Sequence, residues 1–341
     1  MDIGRRRARP VSDFRDVGRP RPKAFAVRWR SLGLLALVLA LIIVAYYVLE
    51  RKDTSSGSDA NRLFQAVEED IDTVSIKKAD ALIVLKREGD GWRLTEPVHA
   101  TADSTEVASL LHTLLEAKDE RRIEEAPHNL ADYGLEHPSI RLSLTLKGGR
   151  MLPTLLLGDL NPNGRSVYAK RPDRSAVFLV TVMMRLRTDK TPDDFRDKTL
   201  LAMDPNAITQ IELIGKGQPI NVSRADRKGW EITTPTKARA DPAVIGKLLW
   251  TIKDARISTF VESGPDAKRR YGLERPDLVV ELKDAATVKR LLLKKAAGLK
   301  DGLYALAEPG TDVVTLNADL LADLSRSPSD LIDRTTSDSH P

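Results

Sequence analysis

The chain contains no cysteine. That excludes disulfides, thiolate metal sites and a cysteine nucleophile, and it is compatible with an oxidising compartment. It also lacks a basic footprint in its main body. Residues 1–30 hold ten Lys or Arg against three acids, whereas everything after Glu50 carries 44 basic and 45 acidic residues. The overall charge of +5 therefore belongs to the N-terminus. A nearly neutral body offers nothing to a phosphate backbone, so nucleic-acid binding is excluded on charge. At 341 residues and 41% hydrophobic, the chain has room for two or three domains with cores of their own.

What is present is a pattern written twice. Gly91-Trp92 returns as Gly229-Trp230, Pro97 as Pro235, Asp103 as Asp241, Tyr133-Gly134-Leu135-Glu136 as Tyr271-Gly272-Leu273-Glu274, and Pro138 as Pro276, all at an offset of 138 residues. Past a hairpin the offset falls to 136, where Leu155-Leu156-Leu157 matches Leu291-Leu292-Leu293, Tyr168 matches Tyr304, and Thr191-Pro192 matches Ser327-Pro328. Chance does not hold such a register.

In chain order, residues 1–30 are rich in Arg and Pro and read as a disordered basic tail in the cytoplasm. Residues 31–50 read as a transmembrane helix. Within them 32–49 form eighteen uncharged residues, roughly 27 Å as a helix, with Trp29 and Tyr46-Tyr47 near the two ends. A cleaved signal peptide is disfavoured by the long basic region and by the bulky residues that close the apolar run. The positive-inside rule then puts the N-terminus in the cytoplasm and the rest outside the inner membrane, as a periplasmic ectodomain. Residues 51–66 read as a linker, 67–200 as a first α+β repeat, 201–335 as a second and 336–341 as a tail.

Each repeat reads as antiparallel strands around one main helix. The stripe Val107, Leu110, Leu111, Leu114, Leu115 predicts a helix over 103–118 started by Asp103, with Glu106 placed for a capping box. Its counterpart has Asp241, Pro242 and the stripe Val244, Ile245, Leu248, Leu249, Ile252. In the strand before Trp92, Leu82 and Val84 align with Ile220 and Val222 and are assigned the inner face, which leaves Ile83 and Leu85 without partners.

Candidate chemistry is thin. His128, His137 and Asp132 could share a metal, but nine residues across a loop is no ligand spacing, and His99, His112, His128 and His137 return as Lys237, Trp250, Asp266 and Arg275. Trp92 and Trp230 could be platforms for a sugar ring, although a Trp recurring at one strand position fits core packing better. Glu136 and Glu274 lack a second repeated acid beside them, as a two-carboxylate hydrolase would need. Asp159, Asn161 and Asn163 suggest a calcium loop with Gly164 misplaced. Gly215-Lys216-Gly217 lacks the setting of a phosphate loop, and Asn221-Val222-Ser223 is a formal glycosylation sequon. No catalytic, metal or cofactor residue is assigned.

The doubled set Gly-Trp-Arg-Leu-Thr-Glu-Pro, Asp-Tyr-Gly-Leu-Glu-x-Pro, Leu-Leu-Leu-Gly-Asp, Val-Tyr-Ala and Phe-Arg-Asp-Lys resembles the family called domain of unknown function 4340, over about 67–335. The second copy departs from it at Leu-Leu-Leu-Lys-Lys and Leu-Ile-Asp-Arg. The resemblance implies one N-terminal span and an association with ABC-type export systems of the gliding-motility kind, without catalytic residues. The expected protein is thus a single-pass, non-enzymatic envelope subunit that binds protein partners, possible ABC transporter subunits among them. A module binding cell-wall glycan is the alternative, and an envelope hydrolase a further one.

Overall fold

The computed structural model describes residues 62–225, 229–296 and 302–334, all within one compact unit, Arg62–Pro341. The expected basic tail, the span at 31–50 and the C-terminal tail lie outside the described residues. Among the described residues no helix is long and apolar enough to cross a membrane.

The unit is α+β and built twice. The first module contains β1 (Ile71–Lys77), β2 (Leu82–Glu88), β3 (Gly91–Glu96), β4 (Ala100–Thr101), α1 (Ser104–Leu115), β5 (Arg121–Glu124), β6 (Ile140–Leu146), β7 (Leu155–Leu160), β8 (Ser166–Lys170), β9 (Val177–Thr181) and α2 (Val182–Thr188). The second repeats it with β10 (Gln210–Ile214), β11 (Ile220–Ala225), β12 (Gly229–Thr234), β13 (Ala238–Ala240), α3 (Pro242–Asp254), β14 (Thr259–Ser263), α4 (Ala267–Arg270), β15 (Leu278–Lys283), β16 (Val288–Lys295), β17 (Gly302–Glu308), β18 (Asp312–Asn317), α5 (Asp319–Leu324) and α6 (Pro328–Leu331). The sheets run β4-β3-β2-β1-β6-β7-β8-β9-β5 and β13-β12-β11-β10-β15-β16-β17-β18-β14, the same order position for position. In each module a meander grows to one side of the first strand. The helix then carries the chain across, so that a second meander grows to the other side and the strand after the helix closes the far edge.

Packing explains the spacing. Val107, Leu110, Leu111 and Leu114 of α1 are buried against the sheet face that carries Val74, Ile76, Leu142 and Leu144, and each such side chain contributes about 1.5–3 kcal/mol relative to exposure. Ile245, Leu248, Leu249 and Ile252 of α3 do the same in the second module. The repeated triple leucine sits where both faces of the sheet are covered. Leu155 and Leu157 enter the main core, while Leu156 points into a smaller cluster behind the sheet with Leu135 and Val177. Leu63 and Phe64 are also buried, so the first core takes in the last residues of the stretch read as linker.

One alignment is corrected. Ile83 and Leu85 are the inward residues of β2, fully buried, while Leu82 is exposed. Leu85 pairs with Leu94 across the hairpin as Val222 pairs with Ile232, so Ile83 and Leu85 are the partners of Ile220 and Val222. The reason is the turn: Glu88 pairs with Gly91, whereas Ala225 pairs with Gly229, which adds one residue to the second turn. A one-residue slip moves every side chain of a strand to the opposite face.

Candidate functional site

The repeated tryptophans are structural. Trp92 and Trp230 are only 6% and 7% exposed. Each is roofed by the arginine opposite it on the neighbouring strand, Arg87 at 4.6 Å from the ring centroid and Arg224 at 5.0 Å. Arg87 also donates to the carbonyls of Ile71 at 2.9 Å and Glu68 at 2.8 Å, and Arg224 to that of Asn206 at 2.8 Å. Burial of both indoles removes the platforms that the glycan reading required.

The Tyr-Gly-Leu motif organises the back of each sheet. Leu135 and Leu273 are buried there, and Gly134 and Gly272 adopt positive φ at 64° and 71°. Gly158 on β7 passes so near that a Cβ would lie 2.1 Å from the Tyr133 carbonyl. Tyr133 meets Tyr168 edge-on with centroids 5.0 Å apart, and Tyr271 meets Tyr304 in the same way at 4.9 Å. The Tyr133 hydroxyl donates to Glu124 at 2.8 Å, and that bond raises its pKa above the ordinary phenol value. Tyr271 is raised first by burial and then by Glu262, the counterpart of Glu124. A repeated acid therefore exists, in the short strands β5 and β14. Its signal was the pair Ile123-Glu124 and Val261-Glu262 at the same offset of 138.

The repeated acids at the helix starts are caps. Asp103 accepts from the Thr105 and Glu106 amides at 2.9 and 3.2 Å, and Asp241 from Ala243 at 2.8 Å. The expected reciprocal bond from Glu106 is replaced by ion pairs of its side chain with Lys190 and Arg187. The closing segments are duplicated too. Thr191 with Asp194 and Ser327 with Asp330 form capping boxes, and Phe195 and Leu331 are fully buried behind them. The segments then clip to the residue that caps the main helix, Asp103 N donating to Phe195 O and Asp241 N to Leu331 O, both at 2.8 Å.

The remaining candidates fall away one by one. Among the described residues no group of three or more His, Cys, Asp or Glu is placed to hold a metal, so His128, His137 and Asp132 do not converge. Asp132 instead accepts from Asn129 at 2.9 Å. Asn161 and Asn163 accept from the Arg165 and Ser166 amides and build the β7–β8 turn, while the Asp159 carboxylate covers Gly134. Glu136, Glu274 and His112 are exposed. Asn221-Val222-Ser223 lies within β11, paired on both sides.

Two clefts remain. The first, of about 460 Å³, lies where the modules meet and is lined in part by His99, Arg196, Phe260 and Asp312. Arg196, 8% exposed, reaches from the first module over the Phe260 ring at 3.4 Å and donates to Asp312 at 2.6 Å. Arg196 and Asp312 are thus mutually bound within this cleft. The second cleft, of about 850 Å³, opens in the second module between the β10–β11 loop, the end of β16 and the α5–α6 connection. Gly215-Lys216-Gly217 forms part of its wall.

The structure thus defines a class of protein with two tandem α+β modules, each a nine-stranded antiparallel sheet with one main helix. The family described as Domain of unknown function (DUF4340) matches residues 92–229 and 230–338, and the chain belongs to that family. The two matched segments start at the two buried tryptophans, inside β3 and β12, so the matched unit and the folded module are out of phase. No curated protein and no solved structure matches the chain.

Proposed function

We propose that the chain is a membrane-anchored, extracytoplasmic, non-enzymatic binding subunit that works beside an ABC-type export system. The apolar run at 32–49 with its basic flank supplies the anchor and the orientation. The observation that carries the binding role is that the repeated residues serve the fold. The tryptophans, the Tyr-Gly-Leu turns and the helix-capping acids pack or cap in both modules. Recognition then resides where the copies differ.

Two experiments test this reading. Reporter fusions after residues 30 and 60 should report cytoplasm and exterior respectively, and the reverse pattern overturns the orientation. Affinity capture from detergent-solubilised membranes should recover a transporter ATPase or permease subunit, and its repeated absence overturns the assignment to an exporter.

A further inference from the structure

The two copies of one site have diverged in opposite directions. In the first module the loop between β1 and β2 puts Lys78 against Asp189 at 3.0 Å, and its ammonium also donates to the Lys190 carbonyl at 2.7 Å. Arg185 donates to the Gly158 carbonyl at 3.0 Å and lies 3.9 Å from Asp189. Lys190 is paired with Glu106. Each of these three cations is matched by a carboxylate or a carbonyl.

In the second module the strand registers place Gly215 where Lys78 stands and Lys295 for Asp159, and the sequence offsets of 136 and 138 place Leu321 for Arg185, Ser325 for Asp189 and Val244 for Glu106. Those pairs are gone, and a cleft of about 850 Å³ stands open, within the range of ligand sites. Lys216, Lys295 and Arg326 line it, and among the described residues no carboxylate forms an ion pair with any of the three. The one acid in the cleft wall, Asp277, is already bonded to the Lys294 ammonium at 3.1 Å and the Lys295 amide at 2.9 Å. Burial pushes its pKa up, but those bonds hold it below the ordinary carboxylate value, so it stays ionised and engaged. The Nε of Arg326 is shut off from solvent with no acceptor among the described residues. The wall also carries the apolar Leu213, Ile220 and Leu278.

We infer that this cleft is the partner site of the second module and takes an acidic peptide segment, carboxylates on the three cations and apolar side chains between them. The cations stand on three separate elements around a space far larger than one inorganic anion. That layout suits charges spaced along a chain, and complementarity of this kind sets specificity. The inference deepens the binding role and rests on it only for the occupant being a protein.

The test uses the full chain in detergent micelles and fluorescence anisotropy of a labelled synthetic peptide in which glutamates alternate with Leu, Ser and Gly. The same peptide with Gln for Glu is the control. The acidic peptide should bind, and the Gln version should bind at least about tenfold more weakly. Lys216→Glu with Arg326→Glu should abolish binding. A second variant, Gly215→Lys with Ser325→Asp, restores the first module's pair of Lys78 and Asp189 without changing net charge and should also abolish it, with melting temperature within a few degrees of the parent. Gly215 accepts a side chain, since a Cβ there would meet only ordinary contacts at 3.7 and 3.8 Å. Equal binding of the two peptides, or undiminished binding by either variant, overturns the proposal. So does binding of anionic lipid vesicles through the same residues with no binding of the peptide. Failure here leaves the membrane capture experiment free to succeed, so the two readings fail separately.

Discussion

At the scale of single residues, close contacts decide what a position can hold. Gly158 is the sharpest case, since any Cβ there would strike the Tyr133 carbonyl backbone. Gly158→Ala should destabilise the first module by about 1–3 kcal/mol through overpacking. Gly217→Ala, where a Cβ meets nothing within 4 Å, should be neutral to within about 0.5 kcal/mol. Thermal melts of the two variants check the contrast, and equal melting temperatures would contradict it. Repetition made some of these residues legible in the sequence: Trp92 and Asp103 could be assigned to core and cap because each recurs at one position of a strand or ahead of one apolar stripe. Arg196 could not be read that way. Its counterpart is Ile332, 38% exposed, and its partners Phe260 and Asp312 lie in the other copy. Nothing local in the chain announces such a contact.

At the scale of elements, the long helices were legible from their apolar stripes and capping acids, and the main hairpins from alternation. The two-residue loss between copies falls between β15 and β16, as the drop in offset implied: Leu142 pairs with Leu155 and Val280 with Leu291. The face of β2 was not legible, because the extra residue sits in a turn whose length only pairing reveals. The short charged strand β5 was equally hidden, since Arg121 to Glu124 carries no apolar alternation. The closing boxes give a prediction with a sign. Burial opposes ionisation of Asp194, yet the bonds from the Thr191 hydroxyl and amide hold its pKa below the ordinary value, and those from Ser327 do the same for Asp330. A carboxyl depressed in the folded state stabilises it above the unfolded pKa of about 4, and that contribution is lost as pH falls through the folded value. The melting temperature should therefore decline on acidification below about pH 4, and Asp194→Asn with Asp330→Asn should flatten that decline. An unchanged slope in the double variant would contradict the role of the boxes.

At the scale of the molecule, Arg196 is the charged contact that ties the first module to the β14–β18 edge of the second. Arg196 sits 3.4 Å over Phe260 and 2.6 Å from Asp312, while Arg256 of the second module donates to the Thr199 hydroxyl at 2.8 Å. Arg196→Ala removes the stacked cation and leaves Asp312 without this partner. Calorimetry should then resolve two unfolding transitions where the parent shows one, and a single shifted transition would mean that the rest of the junction suffices. The two copies also differ at one equivalent position in the fold. The first holds Lys78 and Arg185 against Asp189, and the second has a cleft with Lys216, Lys295 and Arg326 in its wall. The central claim, that this protein binds its partner through what differs between its halves, is tested most directly by capture from solubilised membranes with the parent chain and the Gly215→Lys, Ser325→Asp variant side by side. The account predicts a transporter subunit recovered with the parent and lost with the variant at equal expression; the same subunit recovered by both would contradict it.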